Sequence, residues 1–213
     1  LTGAKAQPPA YDDNTPLVYY EPNNLKQRQL ISDANRGVVH GIYIFDWDGD
    51  GRDDVLTASF SGIHVHSLEK NGTWKRTEIS PEPSSDIAIG KSGRDRIVAA
   101  IEPWHGNRVV VYTNGKRQVV DEKLDDGHTI LTADFDGDGN SEIVAGCRKG
   151  PKSVYLYRLE SGKWTRQPVD DGGLAAAACT ALDLNGDGKP DIACIGAGTV
   201  NLKWYENISG AKK

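Results

Sequence analysis

Residues 46–54, 134–142 and 183–191 read DWDGDGRDD, DFDGDGNSE and DLNGDGKPD. Each stretch carries a side-chain oxygen at positions 1, 3, 5 and 9 and glycine at positions 4 and 6. The oxygen bearers are Asp46, Asp48, Asp50 and Asp54, then Asp134, Asp136, Asp138 and Glu142, then Asp183, Asn185, Asp187 and Asp191. Alternating oxygens on a tightly curved backbone wrap one hard cation, and the carbonyl at position 7 can add a ligand. The glycines permit a curvature that a Cβ would resist. Ca2+ is the expected ion and Mg2+ the second choice. An EF-hand would place a helix on each side and a bidentate glutamate at position 12. Here the flanks, HGIYIF before and DVLTASF after, are short and rich in β-branched residues, so each loop is expected to join two strands.

The elements that must hold these loops repeat with them. After each loop comes an apolar second strand (DVLTASF, EIVAGCR, DIACIGA), and RIVAAIE matches it in a unit without an acidic loop. A third strand then ends on an aromatic ring (Tyr112, Tyr157, Tyr205), with His66 in that place in one unit and Tyr20 in an N-terminal segment. A polar fourth strand follows, as in TWKRTEI and KWTRQPV. The step from Asp46 to Asp134 is 88 residues, twice 44, and a degenerate copy, SSDIAIGKSGRDR, sits at the midpoint. Four strands every 40–45 residues predict an all-β fold, a β-propeller of four-stranded antiparallel blades. The expected units are an irregular lead-in over 1–16, then a propeller over 17–213: a half-blade at 17–36 and blades at 37–80, 81–124, 125–172 and 173–208. The last blade lacks a clear fourth strand. LKQRQLIS (25–32) can supply it, closing a small ring of four or five blades; otherwise the chain is part of a larger propeller whose edges require further blades, further domains or a homodimer.

Composition bounds the remaining classes. With 213 residues and 38% apolar side chains the chain can bury one good core. The net charge of −5 comes largely from the acidic loops and no Lys/Arg block stands out, so nucleic acid is not an expected partner. Nor is a membrane, since no apolar run approaches the roughly 20 residues of a spanning helix. Cys147, Cys179 and Cys194 are odd in number and lie in apolar strands, which favours buried thiols over a disulfide. The chain begins at Leu1 and has no methionine, which reads as a processed or excised piece with any targeting segment out of view. The sequence leaves the compartment open, with a secreted or periplasmic setting favoured.

The DxDGDGxxD loop followed by an apolar strand resembles the FG-GAP or VCBS repeat of many propellers, integrin α-subunits among them. A narrower resemblance rests on ISDANRGVVHGI, FDWDGDGRDDVLTASFSGIH, AAIEPWHGN, LDDGHTILTADFDGDG, RKGPKSVYLY and NLKWYEN. These are similar to the propeller domain of the aldos-2-ulose dehydratases of fungi and their bacterial relatives. That resemblance implies a lyase that removes water from a 2-keto sugar such as 1,5-anhydrofructose, with zinc in a propeller cleft. The family's further domains are absent from this sequence.

The placement of the histidines points the same way. His40 and His128 each lie six residues before the first aspartate of a loop, where an innermost strand begins and on the face opposite the loops. His105, in EPWHGN, falls in a loop between second and third strands that opens on that same face. Three histidines with an open fourth position form a catalytic Zn2+ pattern. The plainer reading makes His40 and His128 caps on a neighbouring blade's backbone and His105 a turn residue. Which of the three binds metal and which moves protons is left open at this stage, and Glu102 is a base or a partner that orients a histidine. Trp104 has no counterpart in the other units and suits a sugar platform. Arg148 and Lys149, in the matching loop of the next unit, can orient sugar oxygens. Packing is expected of His64, His66, Trp47, Trp74, Trp164 and Trp204, and Lys91, Arg94 and Arg96 stand where the degenerate unit lacks its cation. The alternative function is a non-catalytic, calcium-stiffened propeller that binds a glycan or a protein.

Overall fold

The computed structural model describes residues 6–7, 10–11 and 13–210. Every regular element among them is a strand. The chain forms two compact units, Leu1–Ser85 and Asp86–Lys213.

In the first unit β1 (Ala6–Gln7) pairs with β2 (Ala10–Tyr11), and β3 (Asn14–Glu21) forms a hairpin with β4 (Asn24–Arg36). One blade follows: β5 (Val39–Phe45), β6 (Asp54–Ser59), β7 (Gly62–Leu68) and β8 (Trp74–Ser80), antiparallel and in sequence order. The strand β3 starts inside the stretch expected to be irregular, a correction to that boundary: Gly37 N–H donates to the Asp13 carbonyl and Thr15 Oγ1 to the Gly37 carbonyl, which ties this segment to the end of β4. Residues 1–5, 8–9 and 12 of the expected lead-in lie outside the described residues.

The second unit holds three sheets. They are β9 (Ile87–Ser92) to β12 (Lys116–Asp121) through β10 (Asp95–Glu102) and β11 (Arg108–Thr113); β13 (Gly127–Ala133), β14 (Glu142–Cys147), β15 (Val154–Glu160) and β16 (Lys163–Asp170); and β17 (Ala176–Leu182), β18 (Asp191–Gly196) and β19 (Asn201–Tyr205). The second strands are apolar on both faces because a blade is covered on both sides; β14 is buried at every position. Fourth strands lie outermost and are mostly exposed, as β16 is. Between the last two sheets Val144 and Leu156 pack against Ala176, Ile192 and Cys194. The repeat units expected from sequence are therefore antiparallel propeller blades. The strand β4 pairs with β3, and the β17–β19 sheet has three strands among the described residues, so β4 is not the missing fourth strand.

The cysteine expectation is corrected. Cys179 and Cys194 are directly opposed on β17 and β18, with Cα atoms 4.1 Å apart, and form a disulfide. Opposed positions on neighbouring strands bring two Cβ atoms close enough for a bond. Cys147 is free and buried.

Three first strands carry a register shift at the same place: Val39/Gly41, Gly127/Thr129 and Ala176/Ala178. The residues skipped are His40, His128 and Ala177. A bulge re-aims the side chain it frees from the ladder, so the fold sets His40 and His128 apart from the strand residues around them.

Candidate functional site

The acidic loops are built alike. Asp46 accepts from the amides of Gly49 (2.8 Å) and Gly51 (3.0 Å), Asp134 from Gly137 (2.7 Å) and Gly139 (2.9 Å), and Asp183 from Gly186 (2.7 Å) and Gly188 (2.9 Å). The two glycines of each loop have positive φ, from 77° to 86°, a region that excludes most side chains. The position-9 carboxylate closes each loop on the amide of position 2: Asp54 to Trp47, Glu142 to Phe135 and Asp191 to Leu184. Ligand atoms of Asp46, Asp48 and Asp50 lie within 4.8 Å of one another, as do those of Asp134, Asp136 and Glu142. In the third loop Asn185 replaces the middle carboxylate. Burial, with Asp136 close by, raises the Glu142 pKa despite the Phe135 amide bond. An all-oxygen donor set carrying a like-charge cost fits a hard cation. The degenerate unit has a short β9–β10 turn in place of a loop. Its Gly93 amide donates to Asn140 Oδ1 (2.6 Å) and its Lys91 amide to Ser141 Oγ (3.0 Å), so the next blade's loop clasps it through its backbone.

In the second unit the β13 bulge, the β10–β11 loop and the β14–β15 loop bring together His128, Trp104, His105 and Arg148. His128 Nδ1 lies 2.7 Å from the Ala177 carbonyl. A carbonyl can only accept, so Nδ1 carries the proton and Nε2 keeps its lone pair; this is the tautomer of a metal-binding imidazole. His105 lies 4.9 Å from His128, ring centre to ring centre, and stacks on Trp104 at 3.8 Å with an interplanar angle of 8°. Arg148 Nη2 donates to His105 Nδ1 at 2.8 Å and to both oxygens of Asp126 at 3.2 Å. Since the guanidinium only donates, a neutral His105 holds its proton on Nε2. Asp126 Oδ1 lies 3.4 Å from the same Nδ1, and Lys149 approaches Asp126 Oδ2 at 3.5 Å. Burial works against the Asp126 charge, but the Arg148 hydrogen bond and charge outweigh it and hold the carboxyl below its usual range. His105 and Asp126 both have left-handed backbones, φ 48° and 56°, a strained conformation that concentrates at working sites.

In the first unit His40 repeats the His128 arrangement: Nδ1 donates to the Ser85 carbonyl at 2.8 Å, leaving Nε2 its lone pair. The cap expected in the plainer reading is thus present at both histidines, and it is the contact that fixes the ligand tautomer. A backbone-anchored imidazole is a donor chemically suited to Zn2+.

Glu102 is not beside a histidine. It is fully buried, accepts from Tyr112 Oη, and pairs with Arg117 at 2.6 Å. Two residues were missed in the sequence. Asp126 carries no motif of its own, and only its contact with His105 and Arg148 marks it. Asp86, just before β9, occupies in the degenerate unit the position of Thr129: the Ile130 amide donates to it as the Cys179 amide donates to Thr129 Oγ1. It accepts from the amides of Ile130 (2.9 Å) and Ile87 (3.0 Å), and burial pushes its carboxyl up to about 7.

Residues 134–194 match the FG-GAP-like repeat family. No curated protein matches the chain in sequence. Among solved structures the chain is similar to a lectin from Agrocybe aegerita described as recognising non-reducing terminal N-acetylglucosamine. The TM-score is 0.50 and the identity 17%, over 92% of this chain and 58% of the lectin. At that identity the likeness concerns the fold, and the chain spans little more than half of the lectin's length.

Proposed function

We propose that this chain is a carbohydrate-directed propeller that dehydrates a 2-keto sugar, such as 1,5-anhydrofructose, with the help of zinc. The observation that carries the reading is the bulge-set histidine whose Nδ1–H is fixed on a neighbouring carbonyl, found at His128 and repeated at His40. The proposed zinc ligands are drawn from the set expected in the sequence, His40, His105 and His128. When bound, Zn2+ supplies Lewis-acid polarisation of the sugar carbonyl. The Trp104 indole stacks against a sugar face, and Arg148 and Lys149 hold hydroxyls. His105, with its proton on Nε2, donates to the hydroxyl that departs as water. The carbon-bound proton goes to a histidine of this set whose Nε2 holds no metal, because Glu102 is spent on Arg117 and Tyr112. In the acidic loops Ca2+, or Mg2+ in its place, would stiffen the blades.

A second reading, glycan binding without turnover, is favoured by one observation. Arg148 already occupies Nδ1 of His105, which makes that ring a hydrogen-bond donor to sugar in preference to a ligand for metal. Calorimetric titration of 1,5-anhydrofructose, together with the ultraviolet absorbance of an unsaturated ketone product, tests both. Trp104→Ala is expected to weaken sugar binding at least about ten-fold, the loss of one stacking contact. Product formation with zinc supports the dehydratase reading and binding without product the second. Equal sugar affinity in wild type and Trp104→Ala overturns the site.

A further inference from the structure

Within the second unit a sheet has a side that faces the sheet before it and a side that faces the sheet after it. On the side facing onward, third-strand positions carry Val109 and Val111, then Val154 and Leu156, all at most 5% exposed. Their counterparts in the last sheet are Leu202 and Trp204, at 71% and 52%. Beside them Ile195, the counterpart of Gly146, is 51% exposed. On the side facing back, Ile130 is buried, whereas Ile42 in the same register of β5 is 56% exposed and Ile44 53%. Isolated exposed apolar residues are ordinary, but rows of them in the register of an interior interface are not.

The two open rows are complementary in kind. Inside the second unit the onward row Val154 and Leu156 is covered by the backward side of the next sheet, through Ile192, Cys194 and Cys179. Cys179 occupies on β17 the position of Ile42 on β5. Each chain therefore exposes one onward row, on β19, and one backward row, on β5. We propose that these rows mate between two copies of this chain, the last sheet of one copy against β5 of the other, by the contact that stacks β13–β16 on β17–β19. Such a contact is heterologous, one surface against a different surface, and made twice, each last sheet against the other copy's β5, it leaves no row open at two chains.

Sedimentation equilibrium of the wild type over about a hundred-fold range of concentration reads this directly, because association depends on mass action. The expected result is a mass that rises from one chain to two. Leu202→Glu/Trp204→Glu and Ile42→Glu/Ile44→Glu should each stay at one chain. An equimolar mixture of the two variants should again reach two, because each retains the row the other has lost. Both double variants change exposed positions, and circular dichroism at wild-type strength shows that they fold. A wild type that remains a single chain throughout overturns the proposal, as it would if these rows serve further blades and not a second copy. Association lost in the β19 variant but kept in the β5 variant also overturns it, since the last sheet would then be pairing with itself. Sugar and metal play no part in this test.

Discussion

Acidification from pH 7 to pH 4 is expected to remove several kcal/mol of stability from the unit that contains β5–β8. His64 and His66 project from β7 with at most 1% exposure. Arg76 Nη2 donates to His64 Nδ1 at 3.2 Å, Glu78 lies 3.7 Å from His64 Nε2, and His66 Nε2 contacts Thr57 Oγ1 at 3.2 Å. Burial first, and the Arg76 charge second, push both imidazoles down to about 4. In the unfolded chain they take up protons near 6.5, so below that pH the unfolded state binds more protons and stability falls. The loss begins near pH 6.5 and is complete once the pH has passed below about 4. It amounts to about 3 kcal/mol for each ring, somewhat less for the pair because the two share Arg76. Urea unfolding of wild type and His64→Gln/His66→Gln at pH 7 and pH 4.5 checks this: the variant's stability should vary far less between the two. Equal slopes for the two proteins would mean that the histidines are not buried neutral.

Glu102→Ala is expected to cost the second unit about 3 kcal/mol, the order seen when one partner of a buried ion pair is removed. The Tyr112 hydroxyl, buried on β11, loses its acceptor, and Arg117 on β12 loses a 2.6 Å partner. Glu102→Gln keeps an acceptor for Tyr112 and should cost less. Unfolding midpoints measured beside sugar turnover separate this role from catalysis. A brace loses stability in the order Ala, then Gln, whereas a catalytic base loses turnover in both variants with stability unchanged.

The fold was legible because a blade repeats its own chemistry. Acidic loops, doubly apolar second strands and polar fourth strands recur every 44 residues or so, and the degenerate unit betrays itself by spacing alone. His40 and His128 were placed by their distance from the loops, though not the bulges that re-aim them, since a register shift depends on both strands of a pair. The Cys179–Cys194 bridge depends on the same information: the two are 15 residues apart in sequence, and only the β17–β18 register shows them opposed. Glu102 looked catalytic because it sits beside Trp104 and His105 in sequence. Alternation along a strand turns its side chain the other way, into the blade, where Tyr112 and Arg117 await it. Asp126 was invisible, since no motif announces a carboxylate whose role is to hold an arginine against a histidine.

The central claim is that the histidines bind a transition metal while the acidic loops bind a hard one. Elemental analysis after dialysis, on the wild type and on His40→Ala/His128→Ala, tests it most directly. The expected result is zinc at about one per chain in the wild type, zinc lost from the double variant, and calcium or magnesium retained in both. Calcium alone in both proteins would contradict the claim and leave a propeller stiffened by its loops, with the histidines as caps between blades.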